Sequence, residues 1–589
     1  MDSCSFSFTF GIWWLLAVTN HMIQSIEGRS PESPLQCNQT LCTLHNSYGK
    51  WGDRKDCYAL NATYPTTEEE LLAAVSFAVK NNLKAKVVTR FSHTIPKLAC
   101  PADRAAQSSF FISTERYNRQ IQIDAANSVV TVVAGVGLRQ LIDAVEAAGF
   151  SLVASPYWEG VTIGGLISTG AHGSSWWGKG GAVHDHVVGL SIVVPASQSE
   201  GYAKILRMEA YDPLFKAAKL SLGVLGAISK VNLRIEPSFK RSITYNFTSD
   251  VGLEDLYGEH AKKYEFADIT WYPSQHTAVY RYDSRVPLNT SGNAVFDFIG
   301  FQATSTLVSE AVRATETMFE KSKNMRGKCV TAEGTIAFKK ATANGLKNNG
   351  IIFTGYPVIG HQNKMQTSGS CLTSSSILSS CAWDPRIKGL FFYESTAIFP
   401  ASIFRNFILD VKKLRDQNPE YFCGVDNYNG ILIRYIKASD AYLGQSQDSI
   451  VIDFNYYRAN DALTPRLNQD ILEELEQMAF FKYGAKPHWA KNRIIAFLGV
   501  DKKYPNYNKF IGAKKQLDPQ NVFSSNWSDE ILFGKESEKS DGCALEGLCI
   551  CSEHRHCSPQ NNYYCSQGLV YKDARVCRFS NNSSLPFSV

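Results

Sequence analysis

The chain has 589 residues, 44% of them apolar, with 60 Lys and Arg against 55 Asp and Glu and a formal net charge of +5. That length exceeds one ordinary domain and predicts two or three, with enough apolar residues for real cores. The small charge, and the lack of a basic run interleaved with aromatics, exclude nucleic acid as an expected partner.

In chain order, Phe6 to Val18 is mostly apolar around Trp13, Trp14, Leu15 and Leu16. It is too short to span a bilayer and reads as a secretory signal over residues 1–27, although its first residues carry Asp2 and no Lys or Arg. No later apolar stretch is long enough for a membrane helix. Residues 28–59 are loop-like and hold Cys37, Cys42 and Cys57. After Tyr64-Pro65, Thr67 and Glu70 make a capping box. Leu71, Leu72, Val75, Ala78 and Val79 follow at helical spacing. Lys84 to Arg90 reads as a strand, and Ile121 to Ala134 as two strands about a turn at 125–128. Leu138, Leu141, Ile142 and Val145 mark a helix stopped by Gly149. Val187 to Val194 is a strand, and Ser221 to Ile235 runs from a Gly-rich turn into another.

Between these lies Gly160 to Ser175, rich in glycine and hydroxyl side chains and nearly free of charge. Glycine admits close backbone approach, and successive N–H groups in such a loop can cradle phosphate oxygens. The composition fits a diphosphate-binding loop, or equally a small-residue turn packed on another element. A dinucleotide fingerprint is absent. The run Gly173 to Lys179 imitates a P-loop, but Gly180 stands where Ser or Thr must ligate magnesium. His184 and His186 flank Asp185 and read as solvent-facing or loop-anchoring; no metal is expected.

From about residue 241 the texture changes. Amphipathic helical stretches, Ser309 to Lys323 and Asn468 to Tyr483, alternate with strand-like runs Gly389 to Ala397, Gly430 to Ile436 and Ser449 to Tyr457. A second domain is expected over 241–534, with a serine-rich loop between Cys371 and Cys381. Residues 535–589 form a polar linker and a tail with Cys543, Cys549, Cys551, Cys557, Cys565 and Cys577. Zinc sites favour C-x-x-C pairs and none is present, so three disulfides of open connectivity are the better reading. Of the 15 cysteines, all but Cys4 lie beyond the signal, an even set. With sequons at Asn38, Asn61, Asn246, Asn289, Asn526, Asn581 and Asn582, this points to a glycosylated secretory protein. Mixed helices and strands argue α+β or α/β rather than a sandwich.

In order, Tyr64-Pro65, Arg90-Phe-Ser-His93, Ser113 to Asn118, the 160–175 loop and Leu222 to Ala227 resemble the FAD domain of vanillyl-alcohol-oxidase-type flavoproteins. His488-Trp489-Ala490-Lys491 and Leu517-Asp518-Pro519 resemble the cap of its sugar-lactone oxidase branch. The signal and Cys-rich tail are similar to the plant L-gulono-1,4-lactone oxidase-like proteins. The resemblance implies an α+β fold: a two-subdomain PCMH-type FAD-binding domain over 60–240, a cap over 241–534 with a large antiparallel sheet, and a disulfide-rich module. It implies FAD as cofactor, held by Arg90, Phe91, Ser92, His93, Thr94, Ile163, Gly164, Gly165, Ser168, Thr169, Gly170, His172, Gly173, Ser174 and Ile228. His93 is the residue through which the flavin would be covalently tethered, in a turn where the family usually has glycines; the alternative is a hydrogen-bonded loop histidine.

In the cap the resemblance implies Lys491 as a cation beside the flavin pyrimidine, His488 as an orienting group and Arg434 as a steadying charge. The family strand reads Glu-x-Arg; here Leu432 replaces the Glu. Arg434 is therefore expected to lack its nearest counter-charge, leaving a positive pocket, and the substrate proton to pass to water or to a residue such as His488. The implied reaction is oxidation of L-gulono-1,4-lactone at C2, electrons passing to O2, in the secretory pathway, the apoplast or the vacuole. Oxidation of another sugar or alcohol on the same fold, or carbohydrate binding at a degenerate flavin site, are the competing readings.

Overall fold

The computed structural model describes residues 33–45, 56–91, 96–101, 106–296, 306–342, 357–366, 376, 392–457, 459, 461–534 and 539–580. The signal segment, His93 with Ser92 and Thr94, and Cys371 and Cys381 lie outside the described residues.

The first domain holds two sheets. Strands β1 (Asn61–Thr63), β2 (Lys84–Val88) and β3 (Ser109–Ser113) form a parallel sheet ordered β1-β3-β2. Helix α1 (Glu68–Lys80) links the first two. It starts where the capping pattern places it, with the Thr67 hydroxyl accepting the Glu70 N–H. The box is only half formed: the Glu70 carboxylate takes the Thr66 N–H and hydroxyl at 2.7 and 2.8 Å, not the N–H of Thr67. Strands β4 (Ile121–Asp124), β5 (Val129–Val133), β6 (Val187–Pro195), β7 (Ala203–Glu209) and β8 (Ala227–Arg234) make an antiparallel sheet ordered β7-β6-β8-β5-β4. Helix α2 (Leu138–Ala147) buries Leu138, Leu141, Ile142 and Val145, the residues whose spacing marks it.

The second domain is built on eight strands. They are β9 (Lys240–Ser249), β10 (Asp268–Tyr272), β11 (Thr277–Val286), β12 (Val358–His361), β13 (Phe392–Pro400), β14 (Ile431–Ile436), β15 (Ser449–Tyr457) and β16 (Lys486–Pro487). Their order is β12-β9-β11-β10-β14-β15-β13-β16. Side chains alternate between the faces of a strand. Ile269, Trp271, Ile431, Ile433, Tyr435, Ile450, Ile452 and Phe454 fill the main core. The intervening Asp268, Thr270, Leu432, Arg434 and Asp453 therefore share the opposite face, where all but the half-buried Leu432 are buried as well. The chain then returns to the first domain, where the Ala85 N–H donates to the Val522 carbonyl at 2.8 Å.

The tail is a separate module with disulfides Cys543–Cys549, Cys551–Cys565 and Cys557–Cys577. Further disulfides join Cys37–Cys42, Cys57–Cys100 and Cys329–Cys423. The tail docks on helix α3 (Gln469–Gln477), every residue of which is buried. The charged face of this amphipathic stretch is not solvated. Glu474 accepts the N–H groups of Leu569, Val570 and Tyr571 at 2.6, 2.6 and 2.8 Å. Glu473 accepts that of Cys577 at 2.7 Å, and Asp470 pairs with Arg578 at 2.8 Å. Hydrogen bonds to charged groups contribute about 1.5–3 kcal/mol each. A chain ending at Lys539 should therefore melt at least about 5 °C below the full chain. Thermal unfolding followed by circular dichroism measures this; an unchanged Tm would show that the docking adds nothing.

Candidate active site

The small-residue stretch 160–175 is not one open loop. Residues Ile163–Ser168 form a short helix, and the Ile163 and Gly164 N–H groups donate to the carbonyls of Val136 and Ala134 at 2.9 and 2.8 Å. The Ser168 and Thr169 hydroxyls turn back onto the Gly164 and Gly165 carbonyls at 2.7 and 3.0 Å. Those groups are engaged with protein, so the simple picture of an open amide cradle needs correction. The residues after the helix sew the two domains together. The Tyr435 N–H donates to Ser174 Oγ at 3.0 Å, the Ser175 N–H donates to the Tyr435 carbonyl at 2.8 Å, and Ser174 Oγ donates to the Ala267 carbonyl. Trp176 Nε1 reaches the Ile436 and Ser449 carbonyls, both at 3.1 Å. The run that imitates a P-loop is thus a clasp onto β14. His184 and His186 are buried and hydrogen-bonded, to Ser439 Oγ at 3.1 Å and the Gly180 carbonyl at 3.0 Å, which is the anchoring role.

The donors and acceptors around this clasp fit FAD. Arg90 has no carboxylate partner among the described residues. Its guanidinium lies so near Gly137 that a Cβ there would sit 2.8 Å from it, and Gly137 bridges to Thr162, just ahead of the short helix. This leaves a cation and close-approach glycine together where a diphosphate would need them. Phe91 stacks under that guanidinium, 4.9 Å from its carbon. Ile228 is buried in β8 opposite Ile192. His172 Nδ1 lies 2.7 Å from the Gly173 carbonyl and donates to it, so Nε2 presents a bare lone pair, buried and without a partner. Burial, with Arg434 second, holds its pKa well below the ordinary histidine value. Arg434 Nε is likewise buried without a partner, and its NH1 lies 3.5 Å from the His172 carbonyl. An acceptor and a donor side by side suit the alternating N–H and C=O edge of a flavin pyrimidine ring.

On the cap side, Arg434 does not stand alone. It is ion-paired to Asp453 on the next strand, the residue directly opposite Leu432. Asp453 also accepts from the Thr396 hydroxyl, and Lys491 Nζ lies 3.0 Å from it and 2.7 Å from Glu394. The expectation of an uncompensated Arg434 is therefore overturned: the carboxylate missing at Leu432 has a counterpart across the strand pair. Lys491 is likewise not a lone cation but a shared one. His488 is buried, with its ring centroid 5.0 Å from that of His172. Its Nδ1 accepts the Ala490 N–H at 3.0 Å, so in the neutral ring the proton sits on Nε2. Burial, then Lys491, keeps it neutral by lowering its pKa well below the ordinary value. In this tautomer it can donate a hydrogen bond and cannot accept a proton at Nε2. Trp489 meanwhile packs in the core, donating to the Leu443 carbonyl at 3.1 Å.

On the other side of β14, Asp268 stands opposite both Arg434 and Arg281. Tyr157 donates to Asp268 Oδ2 at 2.5 Å, and Arg281 lies 3.0 Å from the same oxygen. A cavity of about 710 Å³ is lined there by Tyr157, Ser174, Asp268, Thr270, Arg281 and Leu432, among others. That is the size of a small-molecule site. Arg434, Lys491 and His488 do not line it. They form a packed array beside it. Asp268, Asp453, Glu394 and Tyr157 were missed from the sequence. The available signal was a lone carboxylate within an apolar strand, Asp-Ile-Thr-Trp-Tyr at 268–272 and Ile-Val-Ile-Asp-Phe at 450–454.

The chain matches three family descriptions in succession. These are FAD binding domain over residues 60–198, D-arabinono-1,4-lactone oxidase over 393–531, and L-gulonolactone oxidase 2-like, C-terminal domain, over 540–579. It is 64% identical to L-gulonolactone oxidase 3 of Arabidopsis thaliana, over 95% of this chain and 96% of that protein. It is 47% identical to L-gulonolactone oxidase 5 of the same plant, over 98% of each. The L-gulonolactone oxidase of Bos taurus is 24% identical over 82% of this chain and 98% of its own. Among solved structures, a solvent-stable cholesterol oxidase superposes with a TM-score of 0.64 at 15% identity, covering 86% of this chain and 100% of the other. A chitooligosaccharide oxidase gives 0.52 at 14% identity, covering 82% and 93%. These structural likenesses show the fold, which with the FAD binding domain match is a PCMH-type α+β architecture.

The Asp453 array makes a stability prediction. Its neighbours, above all Arg434 and then Lys491, outweigh the cost of burial and hold the carboxyl far below its ordinary value. A depressed folded pKa contributes stability above the unfolded value of about 3.9, lost as pH falls below it. Asp453→Asn leaves the buried Arg434 without its carboxylate and the half-buried Lys491 with Glu394 alone, and should cost about 3–5 kcal/mol at pH 7. The deficit should shrink as the pH drops below about 4, where the wild type weakens too. Chemical denaturation at pH 7 and pH 3.5 measures both; an equal loss at the two pH values would remove the ion array as the cause.

Proposed function

The chain belongs to the L-gulonolactone oxidase family and is an FAD-dependent oxidoreductase of the aldonolactone-oxidising kind; we propose that it takes L-gulono-1,4-lactone, oxidises it at C2 and passes the electrons to O2. The 2-keto lactone would then tautomerise to ascorbate. The observation that supports this reading best is the cavity of about 710 Å³ lined by Ser174 of the flavin-domain clasp and by Asp268, Thr270 and Leu432 of the cap. A polyhydroxylated ring needs hydrogen-bonding groups on a buried wall, and this wall supplies them.

When bound, FAD supplies the two-electron acceptor; the protein's share is to hold, orient and exclude water. Arg90, beside Gly137, would meet the diphosphate. His172 Nε2 and Arg434 Nε, the buried acceptor and donor, would meet the flavin edge. Arg434 and Lys491 are fixed by Asp453 and Glu394 before any ligand arrives. Such charges do not need to reorganise as negative charge develops nearby. His488, which does not line the cavity, would act through the neighbours it packs against, His172 among them. Covalent attachment through His93 belongs to the same proposal, as does residence in the secretory pathway. The described cysteines support the second point, since six disulfides fit an oxidising compartment.

The purified protein should be yellow, and L-gulono-1,4-lactone added without oxygen should bleach it. Acid precipitation of the same protein should leave flavin fluorescence in the pellet, and His93→Ala should release it. A yellow protein not bleached by any aldonolactone would overturn the substrate. Flavin wholly in the wild-type supernatant would overturn the covalent link and leave the rest standing.

A further inference from the structure

We infer that Asp268 takes the hydroxyl proton of the alcohol oxidised in this cavity. The inference rests on the reading of the cavity as a lactone-oxidising site. On β14, position 432 carries an apolar side chain that faces the cavity, so that strand offers no proton acceptor there. Its two neighbours each offer one carboxylate on the same face: Asp453 opposite Leu432, and Asp268 opposite Arg434.

The two differ in how they are held. Asp453 is engaged by Arg434, Lys491 and Thr396, and it does not line the cavity. Asp268 lines the cavity. Both of its contacts, Tyr157 at 2.5 Å and Arg281 at 3.0 Å, fall on Oδ2. Its Oδ1 is buried without a hydrogen-bond partner, on a residue only 1% exposed. A buried carboxylate oxygen without a partner, on a residue that lines the cavity, calls for a donor, and whatever fills the cavity can bring one. A substrate hydroxyl is such a donor.

The step balances. The C–H bond at the oxidised carbon delivers its electron pair and hydrogen to the flavin. The O–H bond breaks with its proton going to Asp268 Oδ1, and the oxygen pair closes the C=O bond. The alcohol loses two electrons, and the FAD that the family uses gains them.

The surroundings set the pH range. Tyr157 comes from the flavin domain, Tyr245 from β9, Arg281 and Asp283 from β11, and Arg434 from β14; Glu265 and Arg285 line the cavity near them. Burial is the largest influence on Asp268 and outweighs Arg281, so its pKa stands above the ordinary aspartate value. A base must be ionised to act. Activity should therefore rise with pH along an acid limb that lies above about 3.9. The Tyr157 hydroxyl favours the ionised form. Removing it should move the limb to higher pH.

The test uses full-length holoenzyme. Asp268→Asn should lower kcat/KM on L-gulono-1,4-lactone by about 10²–10⁴ and abolish the acid limb. Tyr157→Phe should displace the limb upward, whatever its effect on the maximal rate. A second readout is free of turnover: calorimetric binding of the lactone to enzyme reduced with dithionite under argon. Wild-type affinity should rise with pH over the same interval, and that of Asp268→Asn should be flat. An acid limb that persists in Asp268→Asn, stays in place in Tyr157→Phe, or disappears only in Asp453→Asn would overturn the assignment. If Asp268→Asn fails to fold, Tyr157→Phe alone decides. A wild type that neither binds nor oxidises any aldonolactone would overturn the reading of the cavity, and the inference with it. A wild type active on lactones beside an Asp268→Asn of unchanged pH profile would overturn Asp268 alone.

Discussion

Buried charge must be paired, and the centre of this molecule is arranged around that rule. On one face of the cap sheet, Asp283 meets Arg241 and Arg281, Arg281 meets Asp268, and Arg434 meets Asp453, which meets Lys491. Lys491 in turn meets Glu394. Cation and carboxylate alternate from strand to strand. No member can be removed without stranding a neighbour, so the geometry of each depends on the whole row. Such a face would be unstable against water-free apolar packing. It persists because polar groups of the flavin domain, Tyr157 and His172 among them, close over it.

That closure depends on the clasp at residues 173–176. Backbone bonds between Ser175 and Tyr435, and the Ser174 hydroxyl between Ala267 and Tyr435, fix the flavin-domain loop against β10 and β14 with no slack. Gly173 leaves no room for a side chain: a Cβ there would lie 2.6 Å from the Ser155 carbonyl oxygen. The glycine and serine content of this stretch therefore serves tight packing, of Gly173 within the flavin domain and of Ser174 and Ser175 between the domains. Of the two readings of the stretch, packing on neighbouring elements is the one its hydrogen bonds display.

Much of the frame was legible. The spacing of Leu138, Leu141, Ile142 and Val145 and the apolar strands at 431–436 and 449–457 fall where their periodicities place them, because local pattern and burial agree there. Strands β9, β10 and β11 were not read. Their polar members lie on a buried face, so the alternation of apolar and polar residues does not separate core from solvent. Of the residues named from the sequence, His172, Arg434, His488 and Lys491 come together beside the cavity and not on its wall. Their pairing was not legible, because Arg434 and Asp453 meet only through cross-strand register, which sequence spacing does not encode.

Register also explains why losing a carboxylate at position 432 does not unbalance the face. A residue on one strand has two direct neighbours, one on each adjacent strand. Leu432 lies between Thr270 and Asp453, and Arg434 between Asp268 and Val451. A charge can therefore be relocated one strand over while keeping its row and its face. The two carboxylates that flank β14 then divide the work of one. Asp453, engaged by two cations and a hydroxyl, balances charge and holds Arg434 and Lys491 in place. Asp268, which lines the cavity with one oxygen bound and the other without a partner, keeps the capacity to exchange a proton. A single glutamate on β14 would have to do both, and a carboxylate held tightly enough by arginine to anchor it is a weak base. Dividing the roles between neighbouring strands removes that conflict.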